Sequence, residues 1–139
     1  MTEKIERSLL ADVSLESVEA VHDLLLEWFE EAGDVDPRVR FAFETAVVEI
    51  AGNIVEHTVA ARGAEGRHFT VQLVADEAML TATFQDDAQP AELDLSAVTM
   101  AEEGAEDGRG LALALASVDR LEYRHEGGRN IWSIECRRG

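Results

Sequence analysis

The spacing of the hydrophobic positions changes several times along the chain, and each change marks a predicted element. Residues 4–12 are compatible with a first strand. Ser14 can cap a helix that runs to about Ala32, because a serine side chain accepts a hydrogen bond from a free N–H group of the first turn. Apolar residues recur in this helix at the three- and four-residue intervals of a buried face, at Leu15, Val18, Val21, Leu25, Trp28 and Phe29.

A second helix is predicted after the stretch "AGDVDP", residues 32–37, which interrupts the helical pattern. Asp36 followed by Pro37 is a typical helix start, since an acidic residue can cap the first turn and a proline at the first helical position needs no N–H partner. This helix is predicted to end at about Ala61. Its apolar residues share one side, at Phe43, Ala46, Val47, Ile50 and Ile54.

Downstream of the second helix the hydrophobic period falls to two, which is typical of strands. Phe69, Val71, Leu73 and Ala75 alternate with His68, Thr70, Gln72 and Val74. After a turn at "ADE", a second strand is marked by Leu80, Ala82 and Phe84, so the two strands are predicted to pair as a hairpin. A final hairpin is predicted from "RLEYRHE" and "RNIWSIECR", with Gly127–Gly128 as its turn.

The segment between the two hairpins has a different character. Residues 86–107 are polar and irregular, and residues 108–118 are predicted to form a short helix behind a glycine-rich start. Helices gathered around an antiparallel-dominated sheet indicate an α/β two-layer sandwich, with a mixed, mostly antiparallel sheet covered on one face by helices. A chain of 139 residues with 46% hydrophobic residues is expected to form one domain, residues 1–139.

The excess of acidic over basic residues indicates which kinds of partner the protein can bind. With 12 basic and 29 acidic residues, the net charge of −17 opposes binding to nucleic acid or to an anionic membrane surface. A protein partner with a basic patch is favoured, because opposite fields steer encounter. The single cysteine, Cys136, cannot form an internal disulfide, and no apolar stretch approaches the roughly 18 residues of a membrane span. The chain is therefore expected to be cytoplasmic.

The second helix carries a line of polar residues at four-residue intervals: Glu49, Asn53 and His57. Each helical residue advances about 100° around the axis, so Asn53 lies about 40° and His57 about 80° from Glu49, at the border of the apolar side. A glutamate there can orient a hydroxyl and accept its proton, and an asparagine oxygen can complete the shell of a magnesium ion. The same spacing also fits a solvated helix edge.

Two later stretches carry further candidate chemistry. In "FQDDAQP", residues 84–90, a strand ends in carboxylates, which can accept a hydrogen bond from an exocyclic amine such as that of adenine. In "GRGLALALA", residues 108–116, two glycines flank Arg109 at a helix start, so backbone N–H groups and a guanidinium can meet an anion. Taken singly, the first fits an ordinary acidic turn and the second an ordinary glycine turn.

The order and combination of these stretches resemble a known family. Glu-x-x-x-Asn-x-x-x-His on a helix, Asp-x-Ala-x-Pro after a strand and Gly-Arg-Gly-Leu at a helix start resemble the anti-sigma factor serine/threonine protein kinases. These have the Bergerat fold of gyrase and histidine-kinase ATPase domains, and the resemblance covers nearly the whole chain. It implies an ATP- and Mg²⁺-dependent homodimeric kinase that binds a sigma factor and phosphorylates an anti-sigma antagonist protein on serine.

The resemblance also implies a role for each matching residue. Glu49 matches the general base that activates the substrate serine hydroxyl, Asn53 the magnesium ligand, and His57 the end of the helix motif near the phosphates. Asp86 matches the carboxylate that recognises adenine. The second glycine box, where the triphosphate meets a helix N-terminus, is matched by Gly108, Arg109, Gly110 and Leu111. Residues 91–107 would form a lid over the nucleotide.

One position departs from the family pattern. Ala88 stands where the family has the glycine of Asp-x-Gly-x-Pro, and an alanine at positive φ would cost about 1–2 kcal/mol. The predicted lid is also acidic. These two features favour a second hypothesis, a non-catalytic regulatory binding module with a weak or absent ATP site. A third hypothesis keeps the site and is an ATPase in which water replaces the serine.

Overall fold

The computed structural model describes residues 4–60, 67–86, 112 and 116–138, and the side chains of residues 57–60 lie outside the description. The elements follow in the order β1 Ile5–Asp12, α1 Leu15–Ala32, α2 Pro37–Ala60, β2 His68–Ala75, β3 Met79–Asp86, β4 Arg120–Glu126 and β5 Arg129–Arg137. The first two predicted helices and all five predicted strands are present, with bounds close to those expected from the sequence.

The five strands form one sheet in the order β1-β2-β3-β5-β4, and every pairing among them is antiparallel. The two predicted hairpins, β2–β3 and β4–β5, lie side by side because β3 pairs with β5. Strand β1 completes the sheet by pairing with β2 at the opposite edge from β4.

One face of this sheet is covered by the two helices. Helix α1 contacts β1 and β2, and helix α2 contacts β3 and β5. Alternate strand residues point towards the helices and are buried, including Phe69, Val71 and Leu73 of β2, Leu80, Ala82 and Phe84 of β3, and Trp132 and Ile134 of β5. The predicted two-layer arrangement is confirmed, and it follows from the two-residue period of the strands.

Both helix starts have the capping partners that their sequences predict, and a glycine ends α1. The Ser14 side chain accepts a hydrogen bond from the Ser17 amide at 3.2 Å. Gly33 ends α1 with φ 81°, a backbone conformation that glycine adopts without steric cost. The Asp36 carboxylate accepts from the Arg38 amide at 2.9 Å, and Pro37 is the first residue of α2.

The two hairpin turns are stabilised by interactions between neighbouring residues and by glycine conformations. The Asp76 carboxylate accepts hydrogen bonds from the amides of Ala78 and Met79, each at 2.8 Å, and these two bonds lower the pKa of Asp76. In the β4–β5 turn, Gly127 and Gly128 have φ values of 61° and 78°. Two successive positive φ values suit a tight hairpin turn whose twist matches that of the strands.

The predicted irregular segment and most of the predicted helix at residues 108–118 lie outside the described residues. Within that range, Ala112, Ala116 and Ser117 are helical, and Ala112 is buried. Neither of the helices described in full is both long enough and apolar enough to cross a membrane.

Trp28 joins three elements at the centre of the core. Its side chain is fully buried, and its indole N–H donates a hydrogen bond to the Ile5 carbonyl of β1 at 2.9 Å. The ring also packs against Phe29 of α1 and Phe43 of α2, with centroid distances of 5.1 and 5.4 Å. The tryptophan therefore fixes β1 to both helices through one polar contact and two aromatic contacts.

We predict that Trp28→Phe lowers the free energy of unfolding by about 2 kcal/mol, because it removes the bond to the Ile5 carbonyl and leaves unfilled volume in the core. Urea unfolding followed by far-UV circular dichroism measures the loss. Phe41→Leu is the matched control, since Phe41 is 69% exposed and its change is expected to stay within about 0.5 kcal/mol. Equal effects of the two substitutions would contradict the central role of Trp28.

Candidate functional site

Glu49 and Asn53 lie where the buried side of α2 meets the surface. Both side chains are half-buried, whereas their neighbours Ile50 and Ile54 are buried in the core. The two polar residues are one helical turn apart, which corresponds to about 6 Å along the axis. The position at the border is the one predicted from the sequence, and their chemical roles remain predictions.

The environment of Glu49 favours its protonated form. Burial raises the pKa of this carboxyl group, and the negative charge of Glu56 raises it further. A carboxylate whose pKa is raised binds a proton more strongly, which suits a group that must take a proton from a hydroxyl. A raised pKa distinguishes Glu49 from an ordinary surface glutamate, which helix spacing alone did not do, and its role as a general base remains a prediction.

Asp86 is the last residue of β3 and is only 6% exposed. Its side chain continues the row of Leu80, Ala82 and Phe84 on the face of the sheet that the helices cover. On the adjacent strand, Asn130 is 2% exposed and donates a hydrogen bond from its amide nitrogen to the Asp86 carboxylate at 2.9 Å. A buried carboxylate is thus held at the end of an apolar row.

Asn130 was not among the residues singled out from the sequence. A signal for it existed, because Asn130 occupies the same alternating face of β5 as Trp132, Ile134 and Cys136, all of which are buried. A polar amide at a buried strand position requires hydrogen-bond partners, so its presence there indicates either a structural bond or a site.

The remaining predicted site residues fall outside what the structure describes. His57 belongs to α2, but its side chain is among those not described. Ala88, the glycine box (Gly108, Arg109, Gly110 and Leu111) and the predicted lid at residues 91–107 also lie outside the described residues. The predicted contacts with the phosphates therefore remain predictions.

Within residues 4–60, 67–86, 112 and 116–138, no group of three or more histidine, cysteine, aspartate or glutamate side chains is arranged to hold a metal ion. The predicted ligand, Asn53, has a side-chain amide oxygen at a half-buried position. A single protein oxygen fits Mg²⁺, which is commonly held by one or two protein oxygens together with substrate phosphates and water.

Comparison with known families gives a match over most of the chain. Residues 12–134 match the histidine kinase-like ATPase domain family. The match begins at the end of β1 and extends into β5, so it includes Glu49, Asn53 and Asp86. No match was found among curated protein sequences.

Solved structures share the fold at low sequence identity. The RsbU and RsbW domains of Rv1364c from Mycobacterium tuberculosis superpose with a TM-score of 0.65 and 22% identity, covering 95% of this chain and 32% of that chain. This chain therefore spans about a third of that protein's length. The SiaB–SiaC complex from Pseudomonas aeruginosa gives a TM-score of 0.59 and 16% identity, covering 94% of this chain and 89% of that chain.

We predict that Glu49→Gln stabilises the protein at pH 7. The pKa of Glu49 is higher in the folded than in the unfolded state, so the folded state binds more protons at pH values between these two pKa values. The free energy of unfolding therefore falls as pH rises from the lower pKa to the higher one. Glutamine does not ionise, so the variant avoids this loss of stability. Its gain in the free energy of unfolding over the wild type is expected to shrink below about pH 4, where Glu49 is protonated in both the folded and the unfolded wild type. Urea unfolding at the two pH values measures the difference.

Glu56→Gln is the control for the cause of this effect. It leaves the Glu49 carboxyl in place and removes only the smaller of the two contributions to the raised pKa. Its stabilisation at pH 7 is therefore expected to be smaller than that of Glu49→Gln. A Glu49→Gln protein that is less stable than the wild type at pH 7 would contradict the assigned electrostatics.

Proposed function

Because the chain belongs to the histidine kinase-like ATPase domain family, we propose that it is an ATP- and Mg²⁺-dependent protein serine kinase of the anti-sigma factor type. The observation that carries the proposal is the pair on α2: Glu49, half-buried with a raised pKa, stands one turn before the half-buried Asn53. A proton acceptor and a metal-binding oxygen at this spacing suit phosphoryl transfer to a hydroxyl.

In the proposed reaction, the oxygen of an acceptor serine attacks the γ-phosphorus of ATP. A new bond forms between that oxygen and phosphorus, the bond between the γ-phosphorus and the bridging oxygen breaks, and ADP leaves. Glu49 orients the hydroxyl and accepts its proton, and its raised pKa favours that transfer. Positioning and charge neutralisation supply most of the acceleration in such reactions.

The other residues bind and orient the nucleotide in this proposal. Asp86 accepts a hydrogen bond from the exocyclic amine of adenine, and the Asn53 oxygen binds Mg²⁺ beside the phosphates. When bound, Mg²⁺ neutralises charge on the phosphate oxygens. Arg109 and the backbone N–H groups of Gly108 and Gly110 receive the phosphates, with His57 nearby. Leu111 and Ala88 belong to the two motifs that enclose the nucleotide.

The proposed partners are a sigma factor and an anti-sigma antagonist protein that carries the acceptor serine. The net charge of −17 supports binding to a protein with a basic patch. The exposed side of α1 agrees with this charge, since it carries Glu16, Glu19, Asp23, Glu27 and Glu30. A phosphate added to the antagonist would be repelled by this acidic protein, which favours release of the product. We further propose that the chain acts in the cytoplasm as a homodimer of one-domain protomers.

A second candidate function is a non-catalytic regulator with a weak or absent ATP site. Ala88, in place of the family glycine, and the acidic residues of the predicted lid favour it. Calorimetry with ATP separates the two functions. Micromolar binding that depends on Mg²⁺ supports the kinase, whereas no binding at millimolar ATP supports the regulator.

We predict that Glu49→Gln reduces phosphoryl transfer by at least about a hundredfold and leaves ATP affinity within about threefold, because the base acts on the acceptor and not on the nucleotide. Phosphate release from ATP in the presence of Mg²⁺ measures transfer to water, phosphoserine mass spectrometry measures transfer to protein, and calorimetry measures binding. The same hundredfold loss of both binding and transfer would remove Glu49 as the base. Glu44→Gln serves as the control, since it makes the same chemical change on the same helix at a carboxylate that contacts His22 of α1 at 2.6 Å.

We predict that Asn53→Ala weakens ATP binding at least about tenfold when Mg²⁺ is present but much less in EDTA, because the amide oxygen acts through the metal. Calorimetric titration with and without Mg²⁺ gives both affinities. Thr45→Ala, two turns earlier on α2 at another half-buried position, should leave both affinities unchanged. An equal loss with and without Mg²⁺ would mean that Asn53 does not bind the metal.

A further inference from the structure

A hydrogen-bonded network begins at the buried Asp86 and extends to the partly exposed edge of the sheet. Asp86 and Asn130 are register partners at the end of the β3–β5 pairing, and both are nearly excluded from solvent. The Asn130 oxygen accepts a hydrogen bond from the Tyr123 hydroxyl and lies 3.1 Å from His125 Nδ1. Tyr123 and His125 both belong to the edge strand β4.

The network fixes the orientation of the Asn130 amide. The carboxylate of Asp86 accepts hydrogen bonds, so the amide nitrogen of Asn130 must face it, and the amide oxygen must face β4. That oxygen cannot donate, and therefore His125 Nδ1 must carry a hydrogen. The Nδ1–H tautomer of the imidazole satisfies this requirement.

Tyr123 is itself held in place by the core. Its ring packs on Trp132 with a centroid distance of 4.6 Å and an interplanar angle of 45°, and Trp132 is 4% exposed. The hydroxyl is thereby directed at the Asn130 oxygen. A continuous series of contacts leads from the core through Trp132, Tyr123 and Asn130 to Asp86.

We propose that Asn130, held by Tyr123 and His125, is a positioning residue that sets the direction of the Asp86 carboxylate for the 6-amino group of a purine. This inference rests on the proposed function, in which Asp86 recognises adenine. A hydrogen bond to one carboxylate oxygen restricts rotation of the group before the nucleotide arrives, so less conformational freedom is lost on binding. Preference for a 6-amino purine therefore depends on strand β4, which contributes through Asn130.

The test compares ATP with purine riboside 5′-triphosphate, which lacks only the 6-amino group. A residue that acts through Asp86 matters for the first nucleotide and not for the second. Asn130→Ala is expected to weaken ATP binding about tenfold and to leave the affinity for purine riboside triphosphate within about twofold. Tyr123→Phe, which keeps the ring on Trp132 and removes only the hydroxyl, is expected to produce a selective loss of about threefold.

A double-mutant cycle shows whether Asn130 acts through Asp86. In an Asp86→Ala background, Asn130→Ala should weaken ATP binding no further, because the group that it positions is gone. Thr83→Val is the matched control, since it removes a hydroxyl from β3 on the face of the sheet opposite Asp86. Thr83→Val should leave the affinities for ATP and for purine riboside triphosphate unchanged. Thermal unfolding of every variant establishes that it is folded at the temperature of the titration.

Each outcome decides the question. A selective loss of ATP affinity with a non-additive cycle supports the positioning role. Equal losses for the two nucleotides, or no loss, overturn it and leave Asn130 as a structural partner of Asp86. If Asp86→Ala abolishes ATP binding while Asn130→Ala and Tyr123→Phe change nothing, only this inference fails. If the wild type binds ATP and purine riboside triphosphate equally, or binds neither, the proposed role of Asp86 fails and this inference fails with it.

Discussion

Burial of one face of the β-sheet under helices α1 and α2 is the interaction on which the other features of the protein depend. A two-residue period in the strands places apolar side chains on one side of the sheet, and the helices supply a complementary apolar surface. Each large side chain buried there contributes about 1.5–3 kcal/mol relative to exposure. Trp28, Phe29 and Phe43 lie at this interface, where Trp28 also binds the backbone of β1.

The candidate chemistry is found at the margins of this core. On α2, Glu49 and Asn53 border the buried side, and on the sheet Asp86 and Asn130 end rows that are otherwise apolar. Charges and dipoles interact more strongly where water is partly excluded. Partial burial at the border of the core therefore costs a carboxylate some of its hydration but strengthens its contacts with a ligand. The raised pKa of Glu49 and the hydrogen bond received by Asp86 are two responses to the same environment.

Most of the fold was predictable because its signals are local. The change from a helical to a two-residue period located the helices and strands, and Ser14, Pro37 and the Gly127–Gly128 pair marked ends and turns. The sheet order was not predictable in the same way, since pairing of β3 with β5 depends on contacts between distant parts of the chain. The network around Asn130 was missed for the same reason: its members lie on three strands, and spacing within one strand does not reveal contacts between strands.

The pairing of β3 with β5 also has a consequence for folding and aggregation. Two local hairpins must meet through a non-local contact, and such contacts form more slowly than the hairpins themselves. Until they meet, β3 exposes Met79–Gln85, seven residues without a charge or a proline and with several β-forming side chains, a composition prone to cross-β assembly. The edge strand β4 is protected instead by Arg120, Glu122, Arg124 and Glu126. Substitutions that delay closure of the sheet should therefore lower the yield of soluble protein more than its final stability.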